Sequence, residues 1–239
     1  MMKLWITAAA ICLCALATVA RAEAEKGLVA DWQFQDGKGG VLQDAIPNGN
    51  NGDISGATWA KVGERFALQF NGKEAYVDCG TSETLTPTAA VTLEAWVNPA
   101  SAPKGEPSIA GKYVNNYVIT GYQGQFYWYI GSGGNNCHAP MKIGAWQHVV
   151  GVYDGEQMSL YINGARVASG KSAVKMTGAE GHFYMGCLNP GGQDTSYFNG
   201  MIGAVRLYSR ALSDAEIAER YKKTVSSYPA VETEKGKGG

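Results

Sequence analysis

What most restricts the fold of this chain is its punctuation: Asn71-Gly72, Gln123-Gly124, Asp154-Gly155 and Asn163-Gly164 each separate two short runs rich in aromatic and β-branched residues. Pairs of this kind accept positive φ and reverse the chain within two residues, as antiparallel strands require. The spacing predicts a hairpin from 67–70 and 75–79, a second from 117–122 and 125–130, and a three-strand meander over 147–153, 158–162 and 165–169. The 32 glycines and 13 tyrosines among 239 residues extend that all-β pattern to the rest of the chain.

Alternation tells which faces are buried. Val91, Leu93, Ala95 and Val97 fall on one side of a strand, and Thr92, Glu94 and Trp96 on the other. Met158, Leu160 and Ile162 repeat the pattern. One apolar side and one mixed side predict two antiparallel sheets stacked face to face, a β-sandwich. One helix interrupts it. Ser213 with Glu216 makes a capping box, Leu212 and Ile217 a hydrophobic staple, and Arg220, Lys222 and Lys223 complement the negative helix end. That predicts a helix over 213–223 that lays Ile217 and Tyr221 on the sandwich.

The beginning of the chain reads as an export signal: Lys3, an uncharged apolar run over 4–19, and the small-x-small site Ala20-Arg21-Ala22. Domains are therefore expected as a signal peptide at 1–22, a β-sandwich at 23–224 and a disordered tail at 225–239, rich in Ser, Pro, Glu, Lys and Gly. Cleavage removes Lys3 and Arg21 from the 20 basic residues and none of the 21 acids, leaving a net charge of -3. Nothing in that balance points to nucleic acid, and no later segment is apolar enough to span a bilayer. A secreted, periplasmic or cell-surface location follows as the expectation. There, Cys79, Cys137 and Cys187 meet an oxidising environment. Three thiols permit one intramolecular disulfide, expected between Cys137 and Cys187 beside Gly/Asn-rich loops, with pairings to Cys79 left open.

The order of segments resembles the laminin-G-like domains of the concanavalin A-like lectin/glucanase superfamily, as found in exported bacterial proteins. The likeness runs from about Gly27 to Tyr221. It is carried by Gly27 to Phe34, Asn48 to Gly52, Ala67 to Gly72, Val91 to Val97, Trp146 to Val150, Leu160 to Gly164, and Phe198 to Ile202 leading into Val205 to Leu212. The resemblance implies a jelly roll, a fold that hosts lectin modules, adhesion domains, glycosidases and lyases alike. Family members often carry an acidic pair in the last strand that can feed a structural calcium site. Here that position reads Gly203-Ala204, which weighs against calcium, and Asp36, Asp44 and Asn71 read as turn residues bonding their own backbones. No cofactor is expected.

Catalytic chemistry finds little support in the residues. Retaining glycosidases need two carboxylates about 5 Å apart, which i and i+2 positions on a strand would meet, and no strand has such a pair. Glu94 reads as a lone polar residue on the less buried face. His138, His148 and His182 lie in separate segments without metal-ligand spacing. No Gly-x-Ser-x-Gly elbow or Gly-x-Gly-x-x-Gly loop occurs. What stands out is an inventory of aromatics and amides, the groups that bind the CH faces and hydroxyls of sugars. The expectation is a noncatalytic module binding a polysaccharide or surface glycan where segments 113–122, 131–138 and 189–197 converge. Trp128 is the expected platform, accompanied by Tyr122, Asn136, Asp194 and Tyr197. A protein-binding adhesion or assembly module, and an atypical glycoside hydrolase or lyase, are the alternatives.

Overall fold

A computed structural model describes residues 25–112, 116–131, 134–192 and 196–229. The expected signal peptide and the far end of the expected tail lie outside them. Among the described residues no helix is long and apolar enough to cross a membrane.

Two antiparallel sheets stack face to face. Sheet I runs in the order β14 (Ala165–Lys171), β13 (Gln157–Ile162), β12 (Gln147–Tyr153), β7 (Val91–Pro99), β16 (Asn199–Tyr208), β5 (Arg65–Asn71) and β4 (Thr58–Val62), and β1 (Leu28–Trp32) also pairs with β16. Sheet II runs β11 (Asn136–Pro140), β10 (Gln125–Ile130), β9 (Tyr117–Tyr122), β8 (Ser108–Lys112), β15 (Phe183–Met185), β6 (Tyr76–Asp78), β3 (Gly52–Ser55) and β2 (Val41–Leu42). The core lies between their inner faces, in one buried cluster that includes Val91, Leu93, Ala95 and Val97 of β7 and Phe126, Trp128 and Ile130 of β10. The sandwich and the meander β12–β13–β14 stand as the alternation and turn pairs require. Gln123 and Gly124, both at positive φ, close the β9–β10 hairpin.

Asn71-Gly72 does something else. It joins β5 of sheet I to β6 of sheet II, so the expected hairpin is a corner between sheets. The Asn71 Oδ1 accepts the backbone N–H groups of Lys73, Glu74 and Ala75 at 2.9, 3.1 and 3.2 Å, which makes the corner tight. Local turn chemistry specifies a reversal, and only tertiary pairing decides which sheet the chain re-enters.

The outer face of sheet I is covered by α1 (Asp214–Thr224), whose capping box forms between Ser213 and Glu216. Ile217 is buried and Tyr221 stacks on Trp96 at 5.9 Å. Under this helix Glu94 is only 2% exposed. Its carboxylate meets Arg220 Nε at 2.5 Å, His148 Nε2 at 3.1 Å and Arg206 at 3.4 Å. Arg206 also pairs with Asp31 at 2.8 Å, and Arg220 with Glu25 at 2.5 Å. The reading of Glu94 as a residue on a partly solvated face is thereby corrected: it is the hub of a buried ion network. Burial alone would lift its pKa, but the neighbouring His148 and the two guanidinium groups outweigh that and hold the carboxyl well below the usual range.

The tail expected from 225 onward is ordered at its start. Val225–Ser227 form a single 3-10 turn and Tyr228, 6% exposed, stacks on Trp96 at 4.2 Å. Gly203 makes this possible, because a Cβ there would stand 2.7 Å from the Tyr228 ring and 3.1 Å from Trp146. An acidic side chain at 203 has no room.

Among the described residues Cys79, Cys137 and Cys187 are free and buried, so the Cys137–Cys187 pairing is also corrected. Cys137 lies on β11 and Cys187 just beyond β15, four strand steps away in sheet II. At the usual strand spacing that is roughly 19 Å, against the about 7 Å that a disulfide tolerates between Cα atoms. Burial pushes both thiols up to about 12.

Glu94→Gln is expected to lower the unfolding free energy by about 3–5 kcal/mol, the cost of breaking a buried ion cluster on one side. Because the folded-state carboxyl titrates below its unfolded value of about 4.3, its stabilisation is complete at neutral pH and is lost as pH falls below about 5. Urea melts across that pH range check both points. An unchanged midpoint in the variant would contradict the hub.

Candidate functional site

The hairpin β9–β10 and the adjoining β11 sort their side chains by the pleat. On β10, Phe126, Trp128 and Ile130 point into the core, and Gln125, Tyr127 and Tyr129 point outward, half-buried. In register with these outward residues stand Tyr122, Thr120 and Val118 on β9, and Pro140, His138 and Asn136 on β11. The outer face of sheet II therefore carries a cluster of rings. Tyr127 stacks on His138 at 4.8 Å and on Tyr129 at 5.7 Å, and the Tyr122 ring meets Tyr127 edge-on at 6.1 Å.

Polar groups border the rings. Thr120 Oγ1 donates to Glu106 Oε1 at 2.9 Å. Burial first, and then the neighbouring Glu106 carboxylate, push the Tyr129 hydroxyl well above its ordinary value, so it remains a donor throughout the physiological range. Asn136 donates to the Gly134 carbonyl at 2.9 Å and presents its Oδ1 to His138 Nδ1 at 3.2 Å. Gln123 donates to the Tyr122 hydroxyl at 3.1 Å.

Of the residues expected to form the site, Tyr122 and Asn136 are brought together on this face. Trp128 is not: it is wholly buried, its indole N–H donates to the Val152 carbonyl at 3.0 Å, and its ring lies where a Cβ on Gly151 would approach to 2.2 Å. The expected platform is a core residue whose packing requires glycine on the facing strand. Tyr197 is half-buried and bridges to Cys187 beyond the end of β15, and the neighbouring Ser196 Oγ accepts the N–H of Glu106 at 3.3 Å. Asp194 lies outside the described residues. The site is thus a sheet face with strand residues at its centre, where converging loops had been expected. Tyr127, Tyr129 and His138 belong in it, and the period of two along β10 is the signal that finds them.

A pair of carboxylates does face outward on the same sheet. Asp53 of β3 stands opposite Asp78 of β6, a juxtaposition that no spacing within one strand can reveal. The two Asp78 oxygens lie 2.7 and 2.9 Å from His182 Nδ1, one of them also accepts the Gly80 N–H at 2.8 Å, and Asp53 is exposed. As for metal ligands, Asp44 Oδ1 accepts the N–H groups of Asp31 and Ile46 at 2.9 and 3.0 Å, and Asp36 that of Gln43 at 3.3 Å. With Asn71 bonded to its own corner, all three serve as turn residues. Among the described residues no three metal-type side chains form a group.

Two stacked antiparallel sheets with this crossover order define a lectin-type jelly roll. The profile of the concanavalin A-like lectin/glucanases superfamily, in its laminin G form, matches residues 71–218, and the chain belongs to that superfamily. No curated protein matches it in sequence. Among solved structures it is similar to a Trypanosoma rangeli sialidase mutant displaying trans-sialidase activity, with 20% identity, a TM-score of 0.67 and coverage of 85% of this chain but 34% of that one. Domain 4 of AbnA, a GH43 extracellular arabinanase from Geobacillus stearothermophilus, in complex with arabinotriose, shows 22% identity, a TM-score of 0.66 and coverage of 80% of this chain and 97% of that one. The binding domain of botulinum neurotoxin DC, in complex with rat synaptotagmin II, shows 15% identity and a TM-score of 0.63 over 82% of this chain and 51% of that one. The chain spans about a third of the sialidase and about half of the toxin domain, and at these identities the likeness is one of fold.

Trp128→Ala is expected to destabilise the protein by roughly 3–5 kcal/mol, as large-to-small core changes do. Binding by the remaining folded fraction should be unchanged. Thermal melts together with binding measured well below the melting temperature check this, and a full-stability variant that loses ligand would return Trp128 to the site.

Proposed function

We propose that this protein is an exported, noncatalytic carbohydrate-binding module whose site is the outer face of sheet II. The single observation that carries the reading is the set of four rings, Tyr122, Tyr127, Tyr129 and His138, presented side by side from three neighbouring strands. Sugars offer apolar CH faces to flat rings and hydroxyls to amides and carboxylates. Here Asn136, Gln125, Thr120 and Glu106 stand in register with or beside the rings. Rings held by strands lose little freedom on binding, which favours a preorganised platform. The likeness to an arabinanase domain with bound arabinotriose, across nearly all of that domain, supports the same reading. Export through residues 1–22 is part of the proposal, and it places the module where a polysaccharide or surface glycan is the ligand.

Glycan hydrolysis is a second reading, and the Asp53–Asp78 pair is the observation that favours it. Against it, Asp78 is engaged by His182 and Gly80, while a general acid needs a carboxyl kept protonated by an apolar surround, which the exposed Asp53 lacks.

Tyr127→Ala tests the proposal, because Tyr127 touches three of the other rings and supports none of the core. Affinity for immobilised polysaccharide should fall about tenfold or more, equivalent to about 1.4 kcal/mol, with the melting temperature nearly unchanged. Full binding by this variant would remove the site from sheet II. Release of reducing ends by the wild-type protein would replace binding with catalysis, and retention of a protein partner with no affinity for any glycan would favour the adhesion role.

A further inference from the structure

The outward row that passes through Tyr129 does not stop at the ring cluster. Following the pairing register across all of sheet II, it runs Asn136, Tyr129, Val118, Gly111, Tyr184, Asp78, Asp53 and Val41, one residue from each strand. The middle of the row holds Val118 and Gly111, both buried between the side chains around them. On its far side lies a second aromatic group. Tyr184 stacks on His182 at 5.4 Å with the planes 9° apart, Tyr76 meets Tyr184 edge-on at 6.1 Å, and Asp78 holds the His182 ring in place through Nδ1. Burial, and then the Asp78 carboxylate, push the Tyr184 hydroxyl up to about 12.

Three strand steps separate Tyr129 from Tyr184, about 14 Å at the usual spacing. Beside this gap, Ser108 stands in register with Thr120. Ser108 is 1% exposed and its hydroxyl has no hydrogen-bond partner among the described residues. Enclosed to this degree, it lies beneath the surface and takes no part in a contact on the face. Charge adds a further constraint. Glu106, Asp78 and Asp53 are the ionisable acids of this face, and among its described outward strand residues there is no Lys or Arg. A uronate, sialate or sulfated chain would meet the Asp78 and Asp53 carboxylates with no Lys or Arg on the strands to offset them.

We infer that Tyr76, Tyr184, His182 and Asp78 form a second saccharide subsite across the same face, so that the ligand is an uncharged saccharide chain long enough to touch both aromatic walls. The inference rests on the carbohydrate-binding reading and goes beyond it in naming a second contact, a minimum length and a charge class. The near wall stacks on one sugar, the chain crosses over the centre without stacking, and the far wall stacks on another while the Asp78 carboxylate accepts from its hydroxyls.

The experiment is calorimetric titration of the full mature protein with a ladder of uncharged arabino- and gluco-oligosaccharides from disaccharide to hexasaccharide, alongside polygalacturonate and alginate oligomers. Wild-type affinity should rise at least about tenfold from disaccharide to hexasaccharide, one decade being the smallest gain a second stacking contact would give. Tyr184→Ala and His182→Ala should each remove most of that gain and leave disaccharide binding as it was. Both residues are surface-facing, so melts of the two variants should match wild type, and Tyr184→Phe, which keeps the ring, should retain the gain. Length-independent affinity, a hexasaccharide unaffected by either alanine variant, or acidic oligomers that bind as tightly as neutral ones would each overturn the inference. Loss of all binding in Tyr127→Ala with no effect of Tyr184→Ala would remove the second subsite alone, whereas normal binding by Tyr127→Ala, or no binding of any oligomer by wild type, would remove the first reading and this one together.

Discussion

Two stacked sheets have four faces, and the period of two along every strand assigns each side chain to one of them. In this protein the two inner faces form the core. The outer face of sheet I is occupied by α1 and by Tyr228, and it hides a charged cluster around Glu94. That cluster imposes a strict condition. Glu94, Arg206 and His148 come from three strands of the sheet, Arg220 comes from the helix, and a charge left without its partner beneath the helix would be far more costly than one left in water. The helix can therefore dock in one register only, and the outer face of sheet II is left as the broad surface on which rings stand in the open.

The same constraint explains the glycines that matter most. Gly151 lets the Trp128 indole lie flat between the sheets, and Gly203 lets Tyr228 and Trp146 meet over β16. In each case a side chain has been given up on one strand so that a large ring from elsewhere can be buried, which is how a sandwich with this many aromatics reaches close packing. The acidic pair often seen near position 203 in similar domains and the aromatic cover seen here exclude each other sterically.

How much of this was legible in the sequence depended on how local each determinant is. The meander, the β9–β10 hairpin and the capped helix are encoded within a few residues of one another, in Asn163-Gly164, in Gln123-Gly124 and in Ser213 with Glu216, and they could be read directly. The corner at Asn71-Gly72 could not, because its destination depends on β16 and β15, more than a hundred residues further on. Glu94 looked like a solvated acid because its partner Arg220 is 126 residues away. For the candidate site, composition shows which residue types are abundant, and only strand register shows which of them share a face. Trp128 was preferred for the breadth of its ring, although its neighbours Phe126 and Ile130 put it on the apolar side of the strand. The cysteines near glycine-rich loops looked bondable, but sheet order separates them.

The ends of the folded unit have a consequence for how it is held. β1 pairs with the last half of β16, Arg220 reaches back to Glu25, and the chain leaves the described fold just after Tyr228 on Trp96. Residue 25 and residue 229 are thus both on the sheet I side of the sandwich. These two ends of the described fold therefore lie on the side of the sandwich opposite the ring cluster. A label or surface coupled near residue 25 or 229 would leave the rings of β9, β10 and β11 uncovered.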